Sequence, residues 1–397
     1  MAAVVLPLIL LARTGDALAA GTLALVCAIP QMLVGVLGGA LLDRVNRLNV
    51  SVVSDIISAA SVALLPIVDM VWGLDFGWFV LLGLLGAIGD IPGMTARDTL
   101  LPSVIDHDGI DLQRFLGVNQ SLESLVTIIG PALAAVAIGF IGDTPALWIT
   151  AALSFCAALA TLTLPRRIGR IEKNSSGAAA EGADAKGGTS TAKRVFGAAA
   201  STLSEGMRVL FRSDAILRTS MLLTFGIVMV MGSFQGLVLP FYFTSIDEPA
   251  NLGYVLSAMS AGLLAGSLAY TALAPKVRKR TWYVSSLAAM AIAVLALGTL
   301  PPYPIMLAAA LFLGFSAGPA SALLGFFAFD RIPENRRGSA LGTQNALLLI
   351  AAPVAVFATS AAVEGLGVQT AALILVGCWF AITAWAIFAA DMRRIDD

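Results

Sequence analysis

The 397-residue chain is too apolar and too sparsely charged to cover a water-soluble surface, since 58% of its residues are hydrophobic and 12% are charged. Soluble domains carry about 45–50% apolar and about 25% charged residues, so a cytosolic enzyme is excluded. The formal net charge of −1 also excludes a basic nucleic-acid-binding protein. With about 20 apolar residues needed per membrane helix, the composition predicts an all-α membrane protein with room for around a dozen spans.

Twelve apolar segments separated by polar breaks follow one another along the chain, and we number them as spans one to twelve. Eleven are long enough to cross a bilayer, whereas span one reaches only about 18 Å against a hydrocarbon core of about 30 Å. We therefore expect the chain to begin within a first helix that is truncated. The predicted segments are 1–12, 17–42, 50–73, 77–95, 114–138, 144–164, 215–243, 252–274, 282–300, 303–328, 338–362 and 368–390.

The basic residues predict the orientation of these spans. If the loop 43–47 lies in the cytoplasm and the spans alternate, every lysine and arginine except Arg13 faces the cytoplasm. Positive charge is retained on that side during insertion. The pattern predicts a multi-pass protein of the cell membrane with both termini cytoplasmic.

A single long polar stretch divides the chain into two halves. We predict an N-terminal six-helix bundle over 1–164, a flexible cytoplasmic linker over 165–214 and a C-terminal six-helix bundle with a short cytoplasmic tail over 215–397. The linker is rich in glycine, alanine and serine and cannot bury a core. Its end, 208–218, has the composition of a short interfacial helix.

A faint internal repeat relates the two halves. Pro131 in span five and Pro353 in span eleven both lie in mid-helix, after a small residue and before another run of small residues. Two matched halves of six spans are typical of secondary transporters built from parallel repeats.

No residue pattern indicates catalysis, a cofactor or a metal. Cys27, Cys156 and Cys378 lie singly in apolar runs, and His107 is the single histidine, in an acidic loop. These residues form no zinc or redox spacing, and the sequence has no phosphate-binding loop of the ATP-driven pumps.

The loop after span two carries a family signature. The chain resembles the major facilitator superfamily, whose motif G-x-x-x-D-R-x-G-R-[RK] is partly matched by Gly39, Asp43, Arg44 and Arg47, with Asn46 at the second glycine and Leu48 at the final basic position. The resemblance implies a twelve-helix fold of two six-helix bundles. It also implies transport of a small molecule by alternating access, and we expect a monomer.

Two further segments are similar to drug:proton antiporters of that family. The segment that begins with Gly130 and Pro131 partly matches the antiporter motif G-P-x-x-G-G. Residues 96–102 are similar to a loop of drug-efflux members. The resemblance therefore implies protons as a second partner.

Our hypothesis for the loop motif is a conformational latch. Asp43, at the cytoplasmic end of span two, would be attracted to the positive end of the helix dipole at the N-terminus of span eleven. Gly39 permits close approach of the backbones. Arg44 and Arg47 can pair with nearby acids, which would hold the outward-open state. The alternative is that both arginines only determine topology.

Carboxylates within spans are candidates for proton coupling, because burying them is costly. Asp90 in span four, between glycine and proline, and Glu123 in span five are the two candidates. The alternative for both is a structural ion pair near the inner face.

Few polar residues are available to line a cavity in the membrane. Gln235 in span seven and Gln344 and Asn345 in span eleven are the candidates, and a mostly apolar cavity suits amphipathic, chemically varied ligands. We predict proton-coupled efflux of amphipathic drugs or metabolites. The alternatives are export or import of one defined metabolite, or a non-transporting membrane sensor or scaffold.

Overall fold

The computed structural model describes residues 9–11, 13–42, 47–90, 93, 126, 130, 143–163, 204–212, 214–273, 276–332 and 337–389. Throughout these ranges the regular structure is helical. Where the structure describes a helix end, it lies within about one turn of the predicted boundary, because runs of about twenty apolar residues bounded by polar loops leave few alternatives in a bilayer.

The N-terminal half contains spans one to six. Residues 9–11 of span one and the following residues 13 and 14 are helical, and residues 126 and 130 are helical in span five. The remaining helices of this half are span two (Ala17–Leu42), span three (Arg47–Val71), the described part of span four (Phe76–Asp90) and span six (Asp143–Leu162).

The C-terminal half begins with a short helix over 204–212 at the end of the predicted linker. Span seven then runs as one apolar helix with a π-helical turn, Phe234–Val238. The six spans are Ala215–Ser245, Pro249–Leu273, Lys279–Gly298, Tyr303–Arg331, Arg337–Leu366 and Val368–Phe388.

Eight helices in the described part of the chain are long and apolar enough to cross a membrane, and the apolar segments Ala17–Gln31 of span two and Phe76–Asp90 of span four are shorter. Aspartates cap three of the spans at their N-termini. Asp16, Asp75 and Asp214 each accept a backbone N–H three residues later at 3.0 Å. These caps satisfy donors that the first helical turn leaves unpaired.

Spans eight and ten pack against each other with their backbones almost in contact. A Cβ atom on Gly314 would overlap the Met259 carbonyl oxygen, and Cβ atoms on Gly262 and Gly266 would overlap carbonyl oxygens of span ten. Gly318 is equally crowded against span eight. Small residues at spacing of four allow this approach, which maximises dispersion contact between helices in lipid.

The largest apolar core of the described residues lies in the C-terminal half, among spans seven, eight, nine, ten and twelve. Trp379 and Tyr283 are among its fully buried side chains, and the Tyr283 hydroxyl donates to the Ala386 carbonyl oxygen at 3.3 Å. This bond joins spans nine and twelve.

Candidate functional site

A cavity lies within the N-terminal half, between spans two, three and four. It contains about 880 Å³ of empty space, counting its open mouth. Its polar lining residues are Cys27, Gln31, Ser58, Ser61 and Asp90, and its remaining described lining is aliphatic or glycine. A mostly apolar cavity with a few convergent polar groups is the usual form of a small-molecule site.

Glycines bring span four close enough to spans two and three to form this cavity. A Cβ atom on Gly86 would lie 2.8 Å from the Ser61 hydroxyl oxygen, and one on Gly83 would lie 3.2 Å from the Cys27 sulfur. Both distances are shorter than ordinary van der Waals contact. Because Gly83 and Gly86 also line the cavity, any side chain there would reduce its volume.

Asp90 is the only charged residue in the described lining. It ends the described helix of span four, and its side chain is exposed. Ser61 donates its hydroxyl to the carbonyl oxygen of Ser58 at 2.8 Å, so the Ser61 oxygen keeps its acceptor capacity toward the cavity. The site can therefore accept hydrogen bonds from a ligand and can offer one carboxylate to a proton or a cation.

The serines of this wall were missed in the sequence. Ser58 and Ser61 line the cavity, and with Ser51 and Ser54 they follow one another at intervals of three or four residues along span three, all four buried. That spacing places them on one face of the helix, and it is readable in the sequence as a polar stripe on an otherwise apolar span.

The three predicted cavity residues lie outside this lining. Gln235 and Asn345 are exposed, and the Gln235 amide nitrogen lies 4.0 Å from the Met259 sulfur. Gln344 is half-buried, and its side-chain oxygen is buried without a hydrogen-bond partner in the described part of the chain. Pro353 lies within the helix of span eleven.

Several predicted site residues lie outside the described residues: Asp43, Arg44, Glu123 and Pro131. Gly39 is in the last turn of span two and Arg47 begins span three, but nothing of the Arg47 side chain is described. Gly130 is helical and half-buried, and a Cβ atom on it would meet no described atom within 4 Å. The latch and the antiporter-like motif stay predictions.

The two halves meet at the end of the molecule predicted to face outward. Gly21 of span two lies directly against Ser360 of span eleven, and a Cβ atom on Gly21 would overlap the Ser360 side chain. Around this point, residues of spans one to four and six share one apolar cluster with Leu237, Val356 and Val363 of the C-terminal half.

Span eleven is also fastened to span seven of its own half. The Thr359 hydroxyl donates to the Ser233 hydroxyl at 3.0 Å, a buried bond. Just beyond Ser233, the N–H of Leu239 bonds to the carbonyl oxygen of Phe234, five residues back. Pro240 has no N–H, so a single π turn accommodates it.

Three comparisons relate this arrangement to known proteins. The sequence model of the family described as Major Facilitator Superfamily matches residues 1–355. "Multidrug efflux pump Tap" of Mycolicibacterium fortuitum is 27% identical over 399 residues, covering 99% of this chain and 92% of that protein. The protein of the same name in Mycobacterium tuberculosis (strain ATCC 25618 / H37Rv) is 27% identical over 375 residues, covering 94% of this chain and 85% of that protein.

Solved structures show the same fold at lower identity. The nucleoside transporter NupG superposes with a TM-score of 0.72 at 15% identity, over 98% of this chain and 94% of that chain. The human organic anion transporter MFSD10 superposes with a TM-score of 0.51 at 15% identity, over 93% of this chain and 83% of that chain. At these identities the likeness is one of fold.

Proposed function

Because the chain belongs to the Major Facilitator Superfamily, we propose that it exports amphipathic compounds in exchange for protons. As a member of that family it is a multi-pass membrane transporter of small molecules and not an enzyme. The proposal adds the direction, the substrate class and the coupling ion. Similarity to efflux pumps over nearly the whole chain supports the direction.

The cavity between spans two, three and four carries the proposal. Leu23, Leu65 and Leu82 supply apolar surface, while Gln31, Ser58 and Ser61 supply a few hydrogen-bonding groups. Such a lining gains free energy from apolar area and demands little hydrogen-bond geometry. It therefore suits amphipathic molecules of varied shape better than a sugar, which needs many fixed polar partners.

Asp90 is the proposed proton carrier. Ionised carboxylates within a membrane span are costly and are associated with proton pathways. The Asp90 side chain opens to the cavity, so proton binding there would remove the single charge of the described lining. Substrate and proton can then compete for the same space, which couples their movements.

Alternating access requires the apolar contact between the halves to separate. In the proposed cycle, the contact of Gly21 with Ser360 closes the outer side while the cavity is reached from the cytoplasm. Rocking of the two bundles would break that contact and close the opposite side. The predicted latch of Asp43 and Arg44 would act at that opposite side.

The proposed topology follows the distribution of lysine and arginine. Loops 43–47 and 165–214 and both termini would lie in the cytoplasm, and the protein would act in the cell membrane as a monomer. The 204–212 helix would then be on the cytoplasmic side.

Flux measurements in proteoliposomes test the proposal. The purified full chain is reconstituted, a proton gradient is imposed, and movement of a panel of amphipathic dyes is followed together with internal pH. We expect gradient-driven dye accumulation with proton counterflow. Asp90→Asn should abolish the gradient-driven part because a neutral amide cannot carry a proton.

Asp75→Asn is the matched control. It removes one negative charge from the other end of span four, and asparagine also caps helices well, so the bond to the Trp78 N–H is retained. Equal flux with and without a gradient would refute proton exchange. Flux of a single metabolite would favour a dedicated exporter or importer, and no flux at all would favour a sensor or scaffold.

A further inference from the structure

The 204–212 helix packs one face, that of Val209 and Leu210, against the C-terminal bundle. Val209 and Leu210 are 2% and 0% exposed and belong to a cluster with Leu217 and Met221 of span seven. Ile332 and Ala340, at the adjoining ends of spans ten and eleven, complete that cluster. The helix is therefore an ordered part of the bundle at this end of the molecule.

The opposite face of this helix forms a basic, amphipathic groove. Ser204, Met207, Arg208, Phe211 and Arg212 line an open depression with about 560 Å³ of empty space, counting the solvent at its mouth. Arg208 and Arg212 are four residues apart, so their side chains are neighbours on the helix surface. Neither has a carboxylate partner in the described part of the chain.

The groove lies beside a membrane-spanning helix. The Phe211 ring stacks on Phe225 of span seven, with centroids 6.5 Å apart and an angle of 28° between the rings. Phe225 lies about three turns into span seven. Phe211 therefore contacts a membrane-spanning helix, and Met207, one helical turn before it, is exposed.

We propose that this groove binds the phosphate headgroup of an anionic phospholipid. Guanidinium groups make paired hydrogen bonds to phosphate oxygens, and Arg208 and Arg212 present two of them within one helical turn. Met207 and Phe211 supply apolar contact for the acyl chains, as in helices that lie in the membrane interface. A free phosphate ion would use the two arginines and gain nothing from these apolar side chains.

Lipid binding to the full chain tests this directly. The protein in neutral detergent is titrated with phosphatidylglycerol or with phosphatidylcholine, and bound lipid is counted by native mass spectrometry. We expect preferential binding of phosphatidylglycerol to the unmodified chain. Because each basic residue contributes roughly fivefold in affinity for an anionic surface, Arg208→Gln/Arg212→Gln should weaken that binding about 30-fold.

Lys276→Gln/Arg278→Gln is the matched control, since it removes the same charge from exposed positions in the loop between spans eight and nine. Its affinity should stay near that of the unmodified chain. Equal loss in both double variants would overturn the proposal, as would displacement of the lipid by inorganic phosphate or no preference for phosphatidylglycerol. If the double variant does not fold, Arg208→Gln and Arg212→Gln singly should each lose about fivefold.

Discussion

Arg13 departs from the distribution of the other basic residues, and its local partner explains why. Its guanidinium nitrogens donate to both carboxylate oxygens of Asp69 at 2.6 and 2.7 Å. The same carboxylate accepts the Leu74 N–H at 3.3 Å. One side chain thereby ties together the ends of spans one and three and the following loop, so the positive charge is neutralised on the side predicted to face outward.

Removing this pair should weaken the N-terminal half. Asp69→Asn keeps an acceptor for the Leu74 N–H and loses the paired ionic bonds, so we expect a loss of about 1 kcal/mol in stability for a half-exposed pair. A lower thermal unfolding midpoint of the purified protein would report it. Arg13→Gln/Asp69→Asn should be no worse than either single change, and an Asp69→Asn midpoint equal to that of the unmodified chain would contradict the assignment.

At the level of the elements, spans eight and ten behave as one unit. Their contact rests on four glycines, and backbone atoms of each helix fill the space that a Cβ would need on the other. Backbones this close gain dispersion contact over several turns. We infer that the two helices move together during any rearrangement of the C-terminal half.

A methyl group at the contact should separate these helices. Gly314→Ala places a Cβ onto the Met259 carbonyl oxygen, and we expect a loss of about 2 kcal/mol from overpacking. Gly325→Ala in the same helix is the control, because a Cβ there meets nothing within 4 Å. The control should unfold at the same or a higher temperature, since alanine favours helix; equal losses in both variants would refute the close contact.

At the scale of the molecule, span eleven makes the close described contact between the two halves, and Leu237 of span seven and Ala371 of span twelve join it in the shared apolar cluster. Span eleven touches span two at Gly21 and span seven at Gly232, where a Cβ would lie 2.8 Å from the Ala352 Cβ. The shared apolar cluster surrounds the first of these contacts. The orientation of this contact across the membrane decides which side of the transporter is closed.

Cysteine labelling in intact cells tests that orientation. On a background with the native cysteines replaced by serine, Lys186→Cys and Arg278→Cys should resist an impermeant thiol reagent, because both positions are predicted to be cytoplasmic. Asp75→Cys, in the exposed loop between spans three and four, should react. Ready reaction at Lys186→Cys or Arg278→Cys would reverse or break the predicted topology.

The spans were predictable and the cavity was not, for different physical reasons. A bilayer sets a minimum apolar length, so span two could be placed at 17–42, where its helix Ala17–Leu42 lies. The cavity depends on how near Gly86 comes to Ser61, and helical periodicity does not say which helices are neighbours. Asp90 was a candidate from the sequence because charge in a span is conspicuous, whereas Gln31 and the serines are uncharged, and only the packing of spans two, three and four brings them to one cavity.

Span eleven contacts spans seven and two through different kinds of interaction. Toward span seven it has a buried hydroxyl–hydroxyl bond, and toward span two it has apolar surface and a glycine–serine contact. Parting from span seven would break the buried Thr359–Ser233 bond, whereas separation at Gly21 breaks mainly apolar contact. The interface that separates in the proposed transport cycle is therefore the apolar one between spans two and eleven. Its strength should change little with pH or ionic strength.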